Sequence, residues 1–184
     1  MKTIYITGAP GAGKTTLANA FKQSWRKVLQ DTQPVKYEAF ILQNEETAVS
    51  LGWDKPPFGG TDTLSYTAIT ALEPWLPTIK VDYLFGEGDR LAIDRFIHLA
   101  QDLGDLHLFY LNTDPALAAD RRGHRADANG LKQQDPSWVK GRESKHLKLA
   151  LKHNATFIPG NLTTQQMCGL MWNEINPTAN AGWE

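Results

Sequence analysis

Gly8, Gly13, Lys14 and Thr15 stand in the spacing G-x-x-x-x-G-K-T, with Ala9, Pro10, Gly11 and Ala12 between them. An apolar, β-prone run, Thr3 to Thr7, leads in, and a helix-like run begins near Lys14. Glycines let a backbone curl so that successive N–H groups face one anion, and the start of a helix adds its positive end. The pattern predicts a phosphate loop formed by residues 8–16. Lys14 would reach the β- and γ-phosphates of ATP, and the Thr15 hydroxyl would hold Mg²⁺.

A second chemical stretch follows the apolar run Val81 to Phe85 and reads Gly86-Glu87-Gly88-Asp89-Arg90. In an α/β sheet the ligand sits at the carboxyl ends of the strands. Acids there, near a phosphate loop, suit metal binding or activation of a hydroxyl. A third stretch holds Trp53, Phe58, Gly59, Gly60, Thr61, Asp62 and Ser65. A glycine hinge, small polar side chains and a capped helix start meet there, and Trp53 or Phe58 can stack on a planar ring. This predicts an acceptor pocket.

Charge singles out a fourth stretch. Net charge is −1, yet residues 121–152 carry nine Lys/Arg against three acids, whereas residues 1–120 carry ten against fifteen. Such a block is a solvated face, a phosphate clamp or a nucleic-acid contact.

These groups need elements to hold them. Strands are expected over 3–7, 35–42, 81–85, 106–111 and 155–158. Helices are expected over 14–30, 61–76, 91–103, 116–122, 142–152 and 163–175. In the first helix Leu17, Phe21, Trp25, Val28 and Leu29 fall near one face and read as core. The alternation predicts a single α/β domain over 1–184, three layers deep, around a mostly parallel sheet. Residues 176–184 are small and polar and are expected to fray. A single cysteine, Cys168, excludes an intrachain disulfide and a cysteine-based metal site. No apolar run approaches a membrane span, and Gly and Lys interrupt any signal-peptide core, so a cytoplasmic setting without a membrane partner is expected.

Three phosphate-loop trades compete. A GTPase would carry Asn-Lys-x-Asp after a late strand, where this chain has Asn112-Thr113-Asp114. A motor or transport ATPase needs more chain. A kinase needs an acceptor pocket, an acid near the acceptor hydroxyl and cations over the moving phosphoryl group, and all three have candidates. A regulatory nucleotide-binding module would need neither the strand-end acids nor the basic segment.

Over nearly its whole length the sequence resembles the P-loop kinases of nucleosides and nucleotides. The matching residues are Gly8 to Thr15, Glu87-Gly88-Asp89-Arg90, and Tyr110 to Pro115 followed by Ala119-Asp120-Arg121-Arg122. The resemblance implies a P-loop NTPase fold with a five-stranded parallel sheet in the order 2-3-1-4-5 and an arginine-bearing lid over about 121–145. It implies that a strand-end acid acts as base or orients the acceptor, which the Asp-Arg pair Asp89-Arg90 fits; beside it Glu87 is a candidate for the same role or for aiding Thr15 at the metal. Arg90, Arg121, Arg122 and Arg125 would surround the phosphates.

A narrower similarity, over residues 59–65, 86–91 and 136–145, is to phage kinases that phosphorylate 5-hydroxymethyluracil within DNA. It implies a DNA partner carrying a modified pyrimidine, a bacterial host cytoplasm, and an acceptor side that includes Arg142, with Trp53, Phe58 or Trp138 holding an extruded base. A free nucleoside, nucleotide or small hydroxylated metabolite is the alternative acceptor.

Overall fold

Among the described residues seven strands make one mixed sheet in the order β2-β3-β4-β5-β1-β6-β7. They are β1 (Lys2–Thr7), β2 (Arg26–Asp31), β3 (Tyr37–Ile41), β4 (Thr47–Leu51), β5 (Tyr83–Glu87), β6 (Asp105–Asn112) and β7 (Thr156–Pro159). The computed structural model describes residues 1–55 and 58–177, so the fraying expected of the tail lies beyond them from residue 178 onward.

The middle strand, β1, alternates. Ile4 and Ile6 face one core, shared with Leu17, Phe109 and Met171. Tyr5 faces the other, shared with Leu72, Phe96 and Leu149. Helices α1 (Lys14–Phe21) and α6 (Thr164–Ile175) therefore cover one face of the sheet, and α2 (Ala68–Trp75), α3 (Asp94–Leu103) and α5 (Pro136–Lys152) the other. Helix α4 (Pro115–Ala128) packs beside the phosphate loop, with Ala118 fully buried. Three layers with helices on both faces is the expected architecture.

The expected sheet needs correction. It has seven strands, not five, and it is not wholly parallel. Strands β4, β5, β1, β6 and β7 are parallel neighbours, and counted alone in chain order they run 2-3-1-4-5. The second of them is residues 47–51, not the expected 35–42. Strand β3 instead joins β2 and β4 by antiparallel pairing and extends the sheet at one side.

The first helix is also shorter than expected, ending at Phe21 rather than near residue 30. A turn closes from the Trp25 N–H to the Lys22 carbonyl (2.9 Å), and Trp25 drops between Phe21, Phe40 and Phe85. Packing of that indole by β3 and β5 outweighs helix continuation. The next residues pair with β3, which leaves Val28 and Leu29 nearly half exposed instead of buried. The basic segment is mostly helical. Asp114 and Asp135 cap α4 and α5 through main-chain N–H groups, each with proline at the first helical position.

Candidate active site

Strand β1 ends at Thr7 and the phosphate loop follows. Its glycines do particular work. Gly11 has φ +83°, and a Cβ there would lie 2.3 Å from the Ala118 carbonyl oxygen, so α4 presses directly on the loop. Gly13 caps α1 with φ +100° and no side-chain cap, so the first N–H groups of the helix are left for a ligand. Lys14 curls back and donates to the carbonyls of Gly8 (2.9 Å) and Ala9 (3.0 Å). Burial lowers its pKa, while Glu87 draws it up. Thr113, at the end of β6, and Arg121 both donate to the Ala12 carbonyl, at 2.9 and 3.0 Å. Arg122 donates to the Pro10 carbonyl at 2.6 Å. Helix α4 thus braces the loop from behind with two of the expected arginines.

Strand β5 lies next to β1 and delivers Glu87 to the mouth of the loop. The Thr15 hydroxyl donates to Glu87 Oε1 at 2.9 Å. Glu87 is 3% exposed, and burial pushes its carboxyl up to about 6 against the pull of Lys14. Gly60, at φ +58°, lets the turn at 59–63 lie against it: a Cβ on Gly60 would sit 2.5 Å from both the Glu87 carbonyl and Oε1. That turn is locked by Thr61, which donates to the Glu87 carbonyl (2.9 Å), and by Asp62 Oδ1, which accepts the Asp89 N–H (2.7 Å).

Asp89 is heavily engaged. Arg142 reaches its Oδ2 at 2.8 Å, while Lys145 (2.8 Å) and His146 (3.1 Å) reach Oδ1. All three sit on one face of α5 at i, i+3 and i+4. Burial alone would raise this carboxyl, but the hydrogen bonds from His146 and Lys145 outweigh it and hold it well below the usual range. Asp89 is therefore an ionised, oriented acceptor of hydrogen bonds rather than a strong base. His146 is buried, and its other ring nitrogen meets the Thr7 hydroxyl at 2.6 Å.

One cavity of about 690 Å³ joins these groups. Lys14, Thr15, Thr16, Arg121 and Arg125 line it. Asp62, Glu87, Asp89 and Arg90 line it too, with three aromatic rings, each carrying an arginine. The Arg90 guanidinium lies 3.4 Å from the Tyr66 ring centre, Arg125 lies 4.9 Å from Phe58, and Arg142 lies 5.3 Å from Trp138. The residues present suit a metal-bound triphosphate: uncapped N–H groups, a half-buried ammonium, and a hydroxyl paired with a buried carboxylate.

The sequence placed most of this wall, with exceptions. Trp53, Thr61 and Ser65 do not reach it. Trp53 lies under Lys36, whose ammonium is 5.2 Å from its ring, and the Trp53 main-chain N–H donates to the Thr63 hydroxyl. Thr61 is fully buried under β5, and Ser65 faces the Thr67 hydroxyl at the surface. Arg122 is spent on the back of the loop. Missed from the sequence were Tyr66, Lys145 and His146, and also Asn19, Asp54 and Lys55, which line the same cavity. The i, i+3, i+4 spacing of Arg142, Lys145 and His146 was the available signal for the helix face on Asp89.

Among the described residues no helix is long and apolar enough to cross a membrane. The family described as P-loop Nucleotide Kinase3 matches residues 1–164. No curated protein matches the chain. Among solved structures the chain is similar to an unliganded sugar kinase from Janibacter sp. HTCC2649, at 12% identity and a TM-score of 0.48, with 96% of each chain covered.

Proposed function

The chain belongs to the P-loop nucleotide kinase family, and we propose, with the narrower resemblance over residues 59–65, 86–91 and 136–145, that it transfers the γ-phosphoryl group of ATP to the hydroxymethyl group of 5-hydroxymethyluracil in DNA. The observation that supports the reading is the shared cavity, which brings phosphate-loop groups, strand-end acids and three arginine-covered aromatic rings into one space. Such rings can stack on a planar acceptor, and the arginines suit the phosphates around it.

Mg²⁺ would be held by Thr15, with Glu87 behind it, and would supply charge neutralisation between the phosphates. The N–H groups at the start of α1 and the Lys14 ammonium bind the β- and γ-phosphates, which draws Lys14 off the carbonyls it now meets. Arg121 and Arg125 offset charge that spreads over the γ-phosphoryl oxygens. Asp89 accepts a hydrogen bond from the acceptor hydroxyl and aims its oxygen at the γ-phosphorus. The acceptor O–P bond forms, the bond to the β–γ bridging oxygen breaks, and ADP leaves. The acceptor proton departs after the new bond is made. At that stage it is strongly acidic, so the weakly basic Asp89 suffices to take it.

The test is incubation with labelled ATP and three acceptor sets: hydroxymethylated DNA, free nucleosides and nucleotides, and small hydroxylated metabolites. Label on DNA supports the reading. Label confined to either of the other sets replaces the acceptor, and ATP turnover with no labelled product in any set removes the kinase.

A further inference from the structure

One imidazole connects the two halves of this cavity. Thr7 is the last residue of β1 and enters the phosphate loop; its side chain is fully buried. Asp89 stands beyond the end of β5, on the acceptor side. His146, 1% exposed, has Nδ1 2.6 Å from the Thr7 hydroxyl and Nε2 3.1 Å from Asp89 Oδ1. An ionised carboxylate only accepts, so Nε2 must carry the proton. Nδ1 is then the lone-pair side and accepts from the Thr7 hydroxyl. The Asp89 carboxylate thereby selects the ring tautomer, and the Thr7 hydroxyl, donating to Nδ1, fixes where the ring and its Nε2–H stand.

Helix α5 does not need His146 to stay in place. Val139, Leu149 and Ala150 bury its apolar face, and Arg142 and Lys145 already anchor it to Asp89. A leucine would fill the same space without two polar nitrogens that must both be satisfied. We propose that His146 is a positioning residue of the phosphotransfer: held by Thr7, it keeps the Asp89 carboxylate in register with the phosphate loop. The role rests on the reading of Asp89 as the group that orients the acceptor.

Two measurements test it. The ¹⁵N resonances of the His146 ring in the ligand-free protein should report Nε2 protonated and Nδ1 bare. A ring protonated on Nδ1, alone or with Nε2, overturns the geometry whatever the enzyme does. In kinetics, Thr7→Val should lower kcat about 10-fold with the KM for ATP held within about twofold, and Thr7→Ser should restore the rate. His146→Gln should lose at least as much as Thr7→Val. The double variant should be no slower than His146→Gln alone, because Thr7 acts only through the ring. Losses that multiply, or a raised KM for ATP at unchanged kcat, overturn the role. Thr7→Val is nearly isosteric, so it carries the test should His146→Gln fail to fold. A wild-type chain that phosphorylates nothing ends the kinase reading and the kinetic role with it, while the ring tautomer still decides the geometry.

Discussion

Glu87→Gln should make the metal-free protein more stable while it stops turnover. Glu87 is 3% exposed, and burial lifts its carboxyl from the ordinary 4.5 to about 6. The folded protein thus binds this proton more tightly than the unfolded chain. Between those two values the folded state carries the excess of protons, and stability falls as pH rises through the window. Above pH 6 the cost is fully present, and the gap corresponds to about 2 kcal/mol. Glutamine keeps an oxygen for the Thr15 hydroxyl and the same shape, its amide N–H groups can reach cavity water, and it removes the charge. In urea titrations with EDTA at pH 8 the variant should therefore gain about 2 kcal/mol, or roughly 4–8 °C in a thermal melt of a chain this size. Near pH 4.5 the two proteins should coincide. Mg²⁺ with ATP should stabilise the wild type far more than the variant. A variant less stable than wild type at pH 8, or one with the same advantage at both pH values, would refute the assignment of burial as the dominant force on Glu87.

Lys14→Ala should cut phosphotransfer by about 1000-fold or more with the circular dichroism spectrum unchanged, as checked by single-turnover kinetics. Gly11→Ala meets the Ala118 carbonyl at 2.3 Å from a backbone with φ +83°. It should weaken ATP binding in calorimetry and cost about 1–3 kcal/mol in a urea melt. Tyr66 is 76% exposed and carries Arg90 on its ring. Tyr66→Ala should raise the KM for the acceptor about 3- to 30-fold and leave the KM for ATP unchanged in steady-state assays.

What the sequence disclosed followed the range of the interactions involved. The phosphate loop was legible because Gly8 to Thr15 must curl within eight residues, and local sterics write that demand into residue type. Glu87 and Asp89 were legible because they follow an apolar strand immediately. Residues 26–31 were not. Their strand exposes nearly every side chain, so no two-residue alternation appears, and Trp25, Val28 and Leu29 extend the helical spacing begun at Leu17. The choice was made by Phe40 and Phe85, which receive Trp25 from far along the chain. His146 was hidden for a similar reason. Its partners lie 139 and 57 residues away, and only the docking of α5 brings them together. The start of α4 was written plainly in Asp114-Pro115, whereas α5 begins at Asp135-Pro136, ahead of the residue 142 that hydrophobic spacing suggests, because its first turns are mostly exposed.

The antiparallel extension of the sheet also has a consequence for solubility. Strand β2 is the outermost on its side, and its outer N–H and C=O groups find no neighbour in the sheet. Such a border is a template for another molecule's strand and a start for aggregation. Here it carries gatekeepers: Arg26 and Lys27 at one end, Asp31 at the other, and a shift of register between Lys27 and Leu29 that spoils a straight pairing line. The turn that ended the first helix therefore created a hazard at the sheet border, and the charges beside it oppose the addition of a further strand there.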